Sequence, residues 1–125
     1  MIQRVNLAEK LAQVGAPWKP HIVGQVNDTL VKVVKLEGEF VWHHHEQEDE
    51  LFLVVKGRML MKVRDPGERE LWFEPGELVI IPHGVEHCPV APDGAECHVV
   101  LMEPTTTLNT GNVRSERTVE HLERI

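Results

Sequence analysis

From residue 21 to residue 103 the chain is a series of short apolar runs, each closed by glycine, proline or a polar cluster. The runs cover 21–26, 29–36, 40–45, 50–55, 59–64, 70–73, 78–81 and 95–102. Runs of this length, rich in Val, Ile, Leu and Phe, predict strands, and their regular spacing predicts an all-β sandwich or barrel. Asp65-Pro66-Gly67-Glu68 and Glu74-Pro75-Gly76-Glu77 carry Pro and Gly where turns favour them, and Lys56-Gly57 predicts a hairpin. Residues 83–94 hold several prolines and glycines and are expected to form a loop. The runs around Leu53 and Ile80 are apolar on both faces. One face is expected to line the interior, the other to lie under a second sheet or a partner subunit.

The ends read differently. Residues 1–15 predict a short helix, with Asn6 as N-cap, Glu9 completing a capping box, Leu7, Leu11 and Val14 on one face, and Gly15 as the stop. It is expected to cover one end of the sheet. Ala16-Pro17-Trp18-Lys19-Pro20 is a linker that its prolines keep from being helical. Residues 105–125 are polar and charged. Within them 115–124 reads either as a terminal helix anchored by Val119 and Leu122 or as a loosely held tail.

A chain of 125 residues predicts one domain over 1–125, with a barrel core at about 21–103. The net charge of −7 argues against nucleic-acid binding, which needs Lys and Arg to displace counterions. No apolar run is long enough to span a membrane, and the N-terminus lacks a secretory pattern. Cys88 and Cys97 do not make a disulfide framework, so free thiols in the cytoplasm are expected.

The candidate chemistry sits in Val41-Trp42-His43-His44-His45-Glu46-Gln47-Glu48-Asp49-Glu50, which holds three of the eight histidines. In a strand His43 and His45 share a face with Cα atoms roughly 6.5 Å apart, close enough to converge on one metal ion, while His44 points away. Glu50 has the opposite parity. It joins the same face only if residues 46–49 form a loop that resets the register. Glu50, Phe52 and Val54 would then point inward together, and an inward carboxylate is costly unless paired or coordinated. A polar, solvated turn is the plain alternative. Glu48 or Asp49 could replace Glu50 if the loop fell otherwise.

These residues also form a recognisable pattern. Gly38, His43, His45, Glu50 and Gly57, followed by Gly76, Pro82, Gly84 and His87, resemble the two motifs of the cupin superfamily. The first gap is one residue short of the usual pattern, and the final Asn position of the second motif falls on Ala91. The resemblance implies a double-stranded β-helix, or jelly-roll, barrel. It also implies one divalent transition metal ion (Fe, Mn, Ni, Co, Cu or Zn) held by His43, His45, Glu50 and His87. Similar proteins commonly pair, so a homodimer is expected.

His98 is a catalytic candidate if Val100 and Met102 face inward, and an outside residue if Cys97, Val99 and Leu101 do. His83 reads as a turn residue, Cys88 as a small buried thiol, and Met59 and Met61 as core. Arg58, Lys62 and Arg64 are the other polar groups considered for the interior. The reading that follows is a metal-binding protein acting, oxygenase-like, on a small organic acid or aromatic. A sugar isomerase-like enzyme and a non-catalytic small-ligand sensor are the alternatives.

Overall fold

The structure, a computed structural model, describes residues 2–125. Alternation turns into antiparallel strands: β1 (His21–Val26), β2 (Thr29–Leu36), β3 (Gly38–Glu39), β4 (Glu50–Lys56), β5 (Met59–Arg64), β6 (Glu68–Phe73), β7 (Leu78–Ile81), β8 (Glu86–Ala91) and β9 (Cys97–Pro104). They make a five-stranded sheet in the order β1-β2-β9-β4-β7 and a four-stranded sheet in the order β3-β8-β5-β6. Val34 and Leu36 of β2, Phe52 and Val54 of β4, and Val99 and Leu101 of β9 pack against Met59, Met61 and Val63 of β5. The interior is the space between these two faces. No helix among the described residues is long and apolar enough to cross a membrane.

The two-faced apolar strands receive part of their cover from the chain itself. The outer face of the five-stranded sheet, around Val33 and Val100, lies under Leu11 and Val14, with Leu7 and Ile125 packed beside them. Leu11 belongs to helix α1 (Leu7–Ala12), and Asn6 caps it by accepting the Glu9 N–H at 3.0 Å. The helix stops before Gly15, with Gln13 as its C-cap. Leu78 and Ile80 on the edge strand β7 stay 52% and 54% exposed.

Three expectations are corrected. Residues 40–45 do not form a strand: only β3 pairs, and His43 makes an isolated bridge to His87. Residues 83–94 are not one loop, because they contain β8, which lies between β3 and β5. Pro89 breaks the usual strand signal, yet its carbonyl still accepts the Phe40 N–H at 3.1 Å. Residues 115–124 form no helix, and the C-terminal segment is docked, not loose. Ile22 N–H donates to Glu123 O at 2.8 Å and Ile125 N–H to Ile22 O at 3.0 Å, tying the chain end to β1.

The same segment clasps the histidine run. His44 N–H donates to Asn112 Oδ1 at 2.8 Å, and Asn112 N–H donates to His44 O at 3.1 Å. Gly111 sits between them at φ 56°, and a Cβ there would lie 2.2 Å from His44 O and 3.1 Å from His43 Cδ2. Both the left-handed backbone and the close approach require glycine. Gly111→Ala is therefore expected to destabilise the protein by about 2–4 kcal/mol. Urea denaturation measures this, and a variant as stable as the native chain would show that the clasp yields freely.

Candidate metal centre

The loop 46–49 does what parity demanded. Glu46, Gln47 and Asp49 are exposed, and Glu50 opens β4 on the inward face, ahead of Phe52 and Val54. His87 comes from the inward face of β8, and its bridge to His43 joins the histidine run to the four-stranded sheet. One ligand atom from each of His43, His45, Glu50 and His87 lies within 4.8 Å of the others, and all four residues are buried. The His43 ring centroid is 5.1 Å from that of His45 and 4.3 Å from that of His87.

Backbone carbonyls fix two of the rings. His43 Nδ1 faces Val41 O at 2.8 Å and His87 Nδ1 faces Val85 O at 2.9 Å. Each Nδ1 therefore carries the proton, and each Nε2 presents a lone pair. Yet His87 Nε2 stands 3.2 Å from Glu50 Oε1, so the ring has an acceptor on both sides. A neutral imidazole has one N–H and cannot satisfy both. A cation between Nε2 and Oε1 removes the conflict. His45 Nε2 lies 3.1 Å from the same oxygen, and its buried Nδ1 has no partner among the described residues. Three imidazoles and a carboxylate are a donor set that suits first-row divalent ions. The residues fit the ion, and this buried group could hold one.

Electrostatics agree. Burial, reinforced by the neighbouring His87, pushes the His43 imidazole down from its ordinary 6.5 to about 4. Burial alone would raise the Glu50 carboxyl, but the polar groups of His45, His87 and Glu103 beside it outweigh burial and hold Glu50 well below the usual range. At neutral pH the site is thus a neutral His43 beside an ionised carboxylate, the states that ligate a metal.

A cupin-domain family model (Cupin_2) matches residues 29–103. The chain belongs to the cupin family. A crystal structure of a cupin-2 domain containing protein from Shewanella frigidimarina NCIMB 400 is similar to this cupin, at 38% identity and a TM-score of 0.74, covering 80% of this chain and 93% of that one. Protein NMB1881 from Neisseria meningitidis is similar at 29% identity and a TM-score of 0.71, covering 82% and 100% of the two chains. The uncharacterized protein YdbB of Bacillus subtilis (strain 168) is 35% identical over 65 residues, which are 52% of this cupin and 56% of YdbB. The match thus spans little more than half of that relative.

The remaining candidates lie outside the cluster. Asp49 accepts from the backbone N–H of exposed His83 at 2.8 Å, and Glu48 accepts from the Thr106 hydroxyl at 2.8 Å. His44 turns away to Glu46. Cys97, Val99 and Leu101 face the core, so His98 is on the outer side of β9, where it meets Glu96 at 2.6 Å. Arg58 pairs with Glu74 and Lys62 with Glu39, while Arg64 lies over the Trp42 ring. The thiols are inert: burial pushes Cys88 up to about 11 and Cys97 up to about 12.

Two charged residues that the sequence reading passed over, Lys32 and Glu103, do enter the interior. Each is 1% exposed, and Lys32 Nζ donates to Glu103 Oε1 at 2.7 Å. Burial, and then the facing Glu50 carboxylate, push the Glu103 carboxyl well above the usual range. The signal was the alternation of β2: Leu30, Lys32, Val34 and Leu36 share one face, and three of them are apolar.

The depressed His43 makes acid stability a direct check. The unfolded chain takes up a proton at this position near pH 6.5, while the folded chain resists until about 4. Stability of the metal-free protein, complete above that window, is expected to fall by up to about 3 kcal/mol as pH drops through it. Urea denaturation across this range should show the fall, and His43→Gln should flatten it. An equally steep fall in the variant would assign the loss to other groups.

Proposed function

We propose that this cupin binds one divalent transition metal ion through Nε2 of His43, His45 and His87 and the Glu50 carboxylate. We further propose that it is a metal-dependent enzyme of the oxygenase kind, acting on a small organic compound. The observation that carries the second step is the wall of the cavity beside the cluster. Next to His43 and Glu50 it is built from Trp18, Val34, Leu36, Phe40, Phe52 and Leu101.

The cavity is about 30 Å³ at a water-sized radius, space for about two waters. Its polar lining is His43, Glu50, Glu103 and Asn109. Asn109 is already engaged, donating to Arg117 O at 2.8 Å and accepting from Val119 N–H at 2.9 Å. A space of this size holds dioxygen, and its wall offers the many hydroxyls of a sugar almost no partners. This favours the oxygenase reading over an isomerase.

When bound, the ion supplies a Lewis acid with coordination positions left open. The chain supplies the rest. The Val41 and Val85 carbonyls keep the His43 and His87 rings in one orientation. Phe52 packs edge-on to His87 with centroids 6.1 Å apart, and Phe40 meets His43 in the same way at 5.4 Å, so both keep water from the cluster. Trp18 closes the far side, stacked on Phe40 at 4.6 Å. It holds a left-handed φ of 62°, costly for a bulky residue. The stack and a 2.8 Å hydrogen bond from its Nε1–H to Glu37 O offset that cost.

The test is oxygen uptake by iron-loaded protein against a panel of small aromatics and organic acids. Uptake is expected only with iron and a substrate together, and His45→Ala should lower it by more than about 100-fold. Protein that takes up no iron would sink the oxygenase reading. Saturable ligand binding without turnover would make this a sensing module instead.

Homodimerisation belongs to the same proposal. Exposed Leu78 and Ile80 on β7 are the apolar pair that a second copy would cover. Light scattering is expected to give twice the chain mass, and a monomer at micromolar concentration would end that part.

A further inference from the structure

Lys32 and Glu103 lie on the inward faces of β2 and β9, in an interior that is otherwise largely apolar. The strand register gives their arrangement. Leu30 of β2 pairs with Glu103, and Lys32 pairs with Leu101, so the lysine reaches Glu103 diagonally. On the other side of β9, Leu51 pairs with Met102. Carried one step past its last pair, that register sets Glu50 against Glu103, and both carboxyls line the same cavity. Two acids directly opposite each other on one sheet face are unfavourable. A buried Lys–Glu pair costs more desolvation than its attraction commonly returns, and apolar residues of similar volume often serve a fold as well or better. By that measure the fold gains little from this pair where it stands.

What the arrangement does achieve is directional. Lys32 Nζ takes Glu103 Oε1 at 2.7 Å, which fixes the Glu103 carboxyl. Glu103 Oε2 is buried and accepts no N–H or hydroxyl among the described residues. The fixed carboxyl borders the same cavity as Glu50 and His43. Glu50 in turn presents Oε1 to His45 and His87, which approach from outside its own sheet.

We propose that Lys32 and Glu103 are positioning residues for the metal centre: anchored by the lysine, Glu103 sets the orientation in which Glu50 offers its oxygen to the ion. Neither residue is a ligand, and Glu103 does not belong to the group whose donor atoms converge. The inference rests on the metal reading above, and its test separates the two.

Co(II) serves as the probe, because its visible absorption reports both affinity and ligand geometry. Three proteins are titrated in competition with a chelator: native, Lys32→Met/Glu103→Leu, and Glu103→Gln. Urea unfolding is measured on each without metal. The double variant is expected to be at least as stable as the native protein, yet to bind Co(II) about 10- to 100-fold more weakly, with an altered spectrum. Glu103→Gln keeps an oxygen for Lys32 and an N–H for Glu50, and is expected to retain most of the affinity. A double variant with native affinity and spectrum would overturn the inference while leaving the metal site intact. A double variant too unstable to fold would assign the pair to the scaffold and overturn it as well. A native protein that binds no Co(II) would remove the metal reading itself, and this inference with it.

Discussion

A carboxylate sealed between two sheets must be answered by positive charge or by hydrogen-bond donors, and Glu50, 4% exposed, imposes that demand here. Much of the interior chemistry follows from it. His45 and His87 converge on one of its oxygens, and Glu103 faces it from β9 with Lys32 behind. The loop before β4 exists to turn Glu50 inward, and β8 is placed so that His87 arrives from the opposite sheet. With no metal ion a neutral His87 ring has one N–H for oxygens on both sides, and only a second proton or a metal ion between Nε2 and Glu50 answers both. The cluster makes chemical sense as the frame of a site and poor sense as packing.

Much of that frame was legible in the sequence, for a local reason. Alternation is a property of neighbours, so the shared face of His43 and His45, and the need for a loop before Glu50, follow without knowing what pairs with what. The capping of α1 by Asn6 is equally local. The parts that were missed depend on distant partners. Residues 40–45 look like a strand, but beyond β3 their ladder with β8 is interrupted and resumes only at the His43–His87 bridge. The β8 segment looks like a loop because Pro82, Gly84 and Pro89 crowd it, and its partner β5 is what makes it a strand.

Lys32 was hidden for a related reason. A lysine in an alternating run reads as the solvated face until it is known that Val34 and Leu36 point inward, and that fact belongs to the pairing of β2 with β9. Glu103 looked like the polar end of a strand before Pro104. Only the pairing of β4 with β9 brings it to the cavity that Glu50 lines. The resemblance pointed to the four residues whose donor atoms converge, since motif spacing encodes loop lengths. It carried nothing about the carboxyl and the amine behind them.

The clasp between His44 and Asn112 bears on how such a sequence can drift. His44 is the middle member of the histidine triplet, yet its role at the centre is played by its N–H and C=O alone. Its imidazole leans out to Glu46. The backbone contact at 44 can be made by residues other than histidine, while position 111, far along the chain in a segment of unremarkable composition, leaves no room for a Cβ. A chemical motif and a steric requirement thus meet at one backbone contact, and only the first of them is visible as a run of like residues.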